Sequence, residues 1–132
     1  MDNVNNVQHL FVESNGKTTP GSSFRGDGFI KLCTLITKNF NFNDMVSKFK
    51  CLCVLKLSVH CIMGLSDSIE QLMHLRLLHI LHIEIMELPK SITKLYNLQT
   101  LRIEGCLKLK KLPEDLSNLI NLRHIKICLC LI

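Results

Sequence analysis

The sequence lacks any long apolar run. Across its 132 residues no stretch approaches eighteen uncharged apolar residues, and the N-terminus has neither the basic nor the apolar region of a secretory signal. No Asn is followed two residues later by Ser or Thr, so the N-glycosylation acceptor that extracellular repeat proteins usually carry is also missing. We therefore expect a cytoplasmic protein with no membrane span.

Paired Cys-x-x-Cys spacing and a phosphate-binding loop are missing too. Seven cysteines are an odd number, and without a secretory signal they do not predict a disulfide framework. Cys51-x-Cys53 and Cys128-x-Cys130 have the wrong spacing for a zinc site. No run matches G-x-x-x-x-G-K-[ST], so the chain itself is not expected to bind ATP or ADP. We expect neither a metal nor a cofactor.

What the sequence does contain is a motif, L-x-x-L-x-L, that returns along the chain. Its starts lie 23, 23 and 24 residues apart, at Leu52, Leu75, Leu98 and Leu122. Further apolar columns stay in step behind it, including Ile62, Ile85 and Leu109, and then Leu65, Leu88 and Leu112. This period is typical of leucine-rich repeats, whose units bury their apolar sides only by stacking on their neighbours.

We therefore predict an α/β fold, a leucine-rich-repeat solenoid that forms a horseshoe arc with a parallel concave sheet. About six short strands are expected near 7–12, 32–37, 52–57, 75–80, 98–103 and 122–127. Short helical or 3-10 return segments are expected after the two prolines of the repeats, over 91–95 and 114–119. Cys106 and Cys130 fall where such repeats place Asn or Cys at the inner turn, which predicts core positions for both.

The repeats predict a single domain over residues 1–132. Irregular repeats cover 1–48, and regular repeats cover 49–132. A turn-forming polar run predicts a flexible loop over about 14–28. Neither end carries a polar capping unit, so the sequence indicates a fragment of a longer array.

Alternation along each strand places the residues between the leucines on the concave face. The candidate partner-binding residues are therefore Lys56, Arg76, Leu77, His79, Leu81, Gln99, Arg102, Glu104, Arg123, His124 and Lys126. Four of them share one column, which we call the basic column: Lys56, His79, Arg102 and Lys126. Aligned cations favour an acidic protein partner, although solvated surface charges are the plain alternative. The outward leucines suggest an apolar contact patch, with stray leucines in irregular repeats as the alternative.

Charge and histidine placement argue against two other classes of function. The net charge of +5 is spread along the repeats and forms no basic run, so nucleic-acid binding is not expected. His74, His79 and His82, with Glu84, follow the spacing of the repeat and match no catalytic geometry. We do not expect an enzyme.

Three segments carry a resemblance to a known family. Residues 87–101, E-L-P-K-S-I-T-K-L-Y-N-L-Q-T-L, and 111–124, K-L-P-E-D-L-S-N-L-I-N-L-R-H, resemble the leucine-rich-repeat domain of plant nucleotide-binding disease resistance proteins. Residues 49–58, F-K-C-L-C-V-L-K-L-S, add to a likeness that covers essentially the whole chain. Ser66 stands where the later repeats have Pro89 and Pro113, and Cys53 stands where the family commonly has Arg.

The resemblance implies the function of an intracellular immune receptor in plant defence. In that family the repeats sense pathogen effectors and restrain a nucleotide-binding switch domain. The implied partners are the nucleotide-binding domain of the same receptor, a pathogen effector or a guarded host protein. The alternatives are a free-standing intracellular scaffold of the Ras-group repeat type, whose 23-residue unit is similar, and a non-functional receptor remnant.

Overall fold

Six strands form one parallel sheet in the order of the chain. The computed structural model describes residues 7–13, 31–38, 48–58 and 67–128. The strands are β1 (His9–Glu13), β2 (Thr34–Lys38), β3 (Val54–Ser58), β4 (Leu77–Leu81), β5 (Thr100–Glu104) and β6 (His124–Cys128). Each strand pairs with the next in the chain, as a leucine-rich-repeat solenoid requires. The predicted fold class is confirmed, and the predicted loop at 14–28 lies outside the described residues.

Every strand begins two residues later than predicted. The first leucine of the motif is fully buried at Leu52, Leu75 and Leu98 and partly buried at Leu122. It belongs to the preceding turn, as the Leu75 N–H shows by donating to the Leu72 carbonyl at 3.1 Å. Bonding to the neighbouring repeat begins at Arg76, whose N–H donates to the Cys53 carbonyl at 2.8 Å. The apolar pattern therefore marks which residues are buried, and the turn decides where the strand starts.

The core consists of columns of identical register. Leu55 of β3 lies opposite Leu78 of β4, which lies opposite Leu101 of β5, and all three are fully buried. Burying a leucine stabilises the fold by roughly 1.5–3 kcal/mol, so each column contributes several such increments. The column ends at Ile125 of β6, which is 50% exposed because no further described repeat packs on it.

Among the described residues, three return segments contain short 3-10 turns, at Asp67–Gln71, Lys90–Lys94 and Glu114–Asn118. Pro89 and Pro113 directly precede the second and third of them. No α-helix occurs among the described residues, since each return has room for only one tight turn. The predicted 3-10 character is confirmed, with bounds shifted by about one residue.

Side chains also tie successive repeats together. The Asn97 amide donates to the Met73 carbonyl at 2.8 Å, and the Asn121 amide donates to the Tyr96 carbonyl at 2.7 Å. Cys106 is fully buried, as predicted, and burial raises the pKa of its thiol despite backbone N–H groups that favour the thiolate. Cys130 lies outside the described part of the chain.

The chain leaves β5 through a left-handed residue. Gly105 has φ +67°, and a Cβ at this position would collide with the imidazole of His82. His82 follows β4 at the equivalent place and has φ 53°. Glycine is therefore favoured at residue 105 by its backbone angle and, more strongly, by the imidazole of His82, which occupies the place of a Cβ.

Stacking predicts unequal costs for two truncations in one column. Leu101→Ala should lower the free energy of unfolding by about 2–5 kcal/mol, because it opens a cavity between two covered repeats. Ile125→Ala should cost about 1 kcal/mol, because half of this side chain already contacts water. Urea denaturation followed by circular dichroism measures both, and equal costs would contradict the stacked-column description.

Candidate functional site

The concave sheet aligns one central column of side chains across all six strands. Its register runs from Phe11 and Ile36 to the basic column, in which Lys56 lies opposite His79, His79 opposite Arg102, and Arg102 opposite Lys126. Parallel strands are about 4.8 Å apart, so neighbouring members of the column are in mutual contact range. The structure thus brings together the four residues that the sequence placed in one column.

The carboxylate of Glu104 lies close to three members of the basic column. The Arg102 guanidinium donates to Glu104 Oε1 at 2.9 Å, and the Lys126 ammonium lies 3.6 Å from the same oxygen. His79 Nε2 is 3.6 Å from the other oxygen, Oε2, which is longer than a hydrogen bond. Partial burial alone would raise the pKa of Glu104, but the hydrogen bond from Arg102 and the nearby positive charges outweigh it and lower that pKa. Glu104 is therefore ionised at neutral pH.

His79 corrects the expectation of a fully exposed basic column. It is only 8% exposed, since Lys56 and Arg102 flank it across the sheet and Leu77 and Leu81 flank it along the strand. Its Nε2 has no hydrogen-bond partner. Burial lowers its pKa, Glu104 acts against that shift, and the charges of Arg102 and Lys56 reinforce it, so that the pKa lies below 6.5. At neutral pH the basic column carries three positive charges instead of four.

The basic column keeps a net positive charge even with His79 neutral. Glu104 offsets one of the three cations, so the column keeps an excess of two charges over β3 to β6. The Lys126 side chain is exposed, and Lys56 is half-buried with no carboxylate within ion-pair distance among the described residues. Arg102 is held in place by Glu104, while its buried Nε atom has no partner. An incoming carboxylate would find a fixed guanidinium beside Lys126, with Lys56 two strands away.

The other predicted site residues surround this column. Leu77 and Leu81 are half-buried beside His79, so they supply less apolar contact area than full exposure would give. Arg76, Gln99 and Arg123 are exposed and directly precede β4, β5 and β6 at the edge where the strands begin. His124 is exposed at the start of β6.

Two further surfaces were not predicted. Met73, Tyr96 and Ile120 are exposed apolar residues, and each stands two positions before the start of a motif, a regularity that the sequence already contains. An open cavity of about 590 Å³ lies between the return turns, where Lys111 Nζ is 3.9 Å from a Glu87 carboxylate oxygen.

Among the described residues, no three His, Cys, Asp or Glu side chains are grouped to hold a metal.

The register and the columns agree with a comparison against known families. The profile of the leucine-rich repeat region matches residues 31–131. The chain belongs to the leucine-rich repeat family.

A solved structure of a leucine-rich repeat protein is similar as well. A leucine-rich repeat protein from Leptospira interrogans superposes with a TM-score of 0.77 and 25% sequence identity over 95% of this chain. The match spans 33% of that protein, so this chain corresponds to about a third of its length. A search of curated proteins finds no significant match.

Leucine-rich repeat solenoids are typically non-enzymatic scaffolds that bind other proteins on extended surfaces. The parallel sheet of this chain offers an extended surface of that kind. None of the described helices is long and apolar enough to cross a membrane.

The environment of His79 predicts a pH dependence of stability. Its folded-state pKa lies below the unfolded value of 6.5, so below about pH 6.5 the unfolded chain binds more protons at this residue. The free energy of unfolding should therefore fall as pH drops from 7 to 5. The pKa of Glu104 is lowered, so its stabilising effect is lost only below about pH 4.5 and does not enter this window.

Urea denaturation at pH 7.5 and 5.0 tests this prediction. His79→Gln should reduce the loss of stability between the two pH values, because the buried titrating group is gone. His124→Gln is the matched control, since this histidine is exposed on the same face and its replacement should leave the loss intact. If His79→Gln keeps the full loss, His79 is not the group responsible.

Proposed function

We propose that this chain is the protein-binding part of a plant intracellular immune receptor. In this role it senses a pathogen effector or a guarded host protein and restrains a nucleotide-binding switch domain of the same receptor. The family membership supports a protein-binding role, and the segments 87–101 and 111–124 support the receptor class by resemblance. The observation that carries the proposal is the positive excess of the basic column on a continuous concave sheet.

The basic column favours a partner that presents carboxylates. Arg102 and Lys126 are cations on adjacent strands about 4.8 Å apart and repel one another, and the single carboxylate of Glu104 compensates only one positive charge. Acidic side chains of a partner would relieve the rest, with Arg102 oriented for a planar carboxylate. The column suits an acidic protein face better than nucleic acid, because the carboxylate of Glu104 and two leucine side chains lie beside its cations.

Restraint by such a surface requires different contacts in two states. The switch domain would bind the basic column in its resting state, and an effector or modified host protein would compete for the same face or alter it. A receptor of this kind acts in the cytoplasm. The competing proposal, a free-standing Ras-group scaffold or a receptor remnant, uses the same face without a switch domain to restrain.

The transcript separates these two proposals. We expect long-read sequencing across the codons of Met1 and Ile132 to show that the reading frame continues upstream into a G-x-x-x-x-G-K-[ST] phosphate-binding loop. Such a loop would supply the nucleotide site that the receptor class requires. Stop codons on both sides of the frame would contradict the receptor proposal and leave a stand-alone scaffold or remnant.

The basic column can be tested with the nucleotide-binding domain encoded by the same transcript. The double variant Lys56→Glu with Lys126→Glu should weaken its binding to the repeats by about tenfold or more at low salt. The difference should shrink at high salt, because exposed charges are screened. Isothermal titration calorimetry at two salt concentrations measures both effects.

Lys90→Glu with Lys110→Glu is the matched control for this test. It changes the net charge equally but alters exposed lysines outside the sheet. Its affinity should equal that of the wild type. Equal weakening by both double variants would assign the effect to net charge and contradict a role for the basic column.

A further inference from the structure

A row of exposed apolar side chains runs along the edge where the strands begin. Met73, Tyr96 and Ile120, which we call the apolar ridge, are 67%, 59% and 83% exposed. They occupy the same position in three successive repeats, two residues before each motif. Single exposed apolar residues are ordinary, but an aligned row of three marks a surface suited to binding.

The ridge is held in place by the turns beneath it. The carbonyl of Met73 accepts the hydrogen bond from Asn97, and the carbonyl of Tyr96 accepts the one from Asn121. Met73 and Tyr96 are thereby tied to the repeat that follows each of them. Lys50 takes the equivalent position one repeat earlier, so the row changes there from apolar to cationic.

On the side of the apolar ridge that faces the sheet, the nearby charged residues are positive. Arg76 and Arg123 lie three residues after Met73 and Ile120, are exposed, and have no carboxylate within ion-pair distance among the described residues. On the other side of the ridge Glu70 is already paired with Lys94, at 3.1 Å. A partner would therefore meet an apolar row flanked by two available guanidinium groups.

The spacing of the ridge selects the secondary structure of its partner. Three repeats at about 4.8 Å place the outer ridge residues roughly 10 Å apart. Two turns of an α-helix rise about 11 Å, which matches this distance within about 1 Å. An extended strand repeats a face every 6–7 Å or so, and two such steps exceed the ridge by about 4 Å. The length of the apolar ridge therefore matches two turns of an α-helix and does not match the repeat of an extended strand.

We propose that the apolar ridge and its two arginines bind an amphipathic, acidic α-helix of a protein partner. Apolar side chains of the helix at positions i, i+4 and i+7 pack on Met73, Tyr96 and Ile120. Two carboxylates about seven residues apart on one flank of the helix pair with Arg76 and Arg123. This site is separate from the basic column and does not depend on the proposed function.

The probe is a stapled, fluorescently labelled helical peptide of about 18 residues, long enough for five turns. It carries Leu at i, i+4 and i+7 and Glu along one flank, and a second peptide carries Lys in place of each Glu. Fluorescence anisotropy with the full 132-residue chain should show the acidic peptide binding at least about tenfold more tightly than the basic one.

Two variants locate the binding site. The triple variant Met73→Ser, Tyr96→Ser and Ile120→Ser should weaken binding of the acidic peptide by about tenfold or more. Met86→Ser with Leu107→Ser is the control, since these side chains are also exposed and apolar but lie outside the ridge. The wild type and the four variants of the test, including Lys90→Glu with Lys110→Glu, are first shown to share one far-ultraviolet circular dichroism spectrum.

Charge reversal makes the test specific. Arg76→Glu with Arg123→Glu should invert the preference, so that the basic peptide binds more tightly than the acidic one. Lys90→Glu with Lys110→Glu makes a charge reversal of the same size at exposed lysines outside both the ridge and the basic column, and it should leave peptide binding unchanged. The proposal is overturned if the triple variant keeps wild-type affinity, if the control loses as much, or if both peptides bind equally.

A membrane surface is the competing occupant of an apolar row flanked by arginines. Vesicles of phosphatidylcholine and phosphatidylserine are therefore sedimented with the wild type and with the triple variant. Binding to vesicles that the triple variant abolishes, together with no binding of the acidic peptide, would overturn the helix and assign the ridge to lipid.

Discussion

Stacking of apolar columns between neighbouring repeats is the interaction on which this molecule depends. A single repeat has one strand and one 3-10 turn, and neither element can exclude water from its own leucines. Leu78 is fully buried because Leu55 and Leu101 cover it from both sides, whereas Ile125 stays half exposed where such cover ends. Stability is thus shared between adjacent repeats, and the parallel sheet follows from the need to superimpose each column on the next.

The same stacking arranges the residues between the leucines, whether or not they attract one another. It places Lys56, Arg102 and Lys126 in one line with His79, although the positive charges of this line repel one another. The molecule tolerates this arrangement because Glu104 lies at the centre and because burial keeps His79 neutral at physiological pH. The concave surface therefore combines an imposed geometry with incomplete compensation of charge, and this combination is the basis for the acidic partner that we propose.

Sequence periodicity was enough to predict the solenoid, the order of the strands and the membership of each column, because buried leucines recur in strict register. It was not enough to place the start of each strand, since that depends on turn hydrogen bonds such as the one from Leu75 to Leu72. Nor could it show that His79 is buried, because burial depends on the length and direction of four neighbouring side chains. Nor could it show that the Glu104 carboxylate lies near Arg102, Lys126 and the neutral His79.

A leucine-rich repeat normally separates stability from recognition, since the residues between the leucines can change without disturbing the core. The apolar ridge follows that rule: its side chains are exposed, and the hydrogen bonds that hold its turns use backbone carbonyls that any residue would supply. The basic column does not, because Glu104 both shapes the binding surface and compensates charge beside a buried histidine. A change at Glu104 would therefore alter stability and binding together, whereas a change at Tyr96 acts on binding alone.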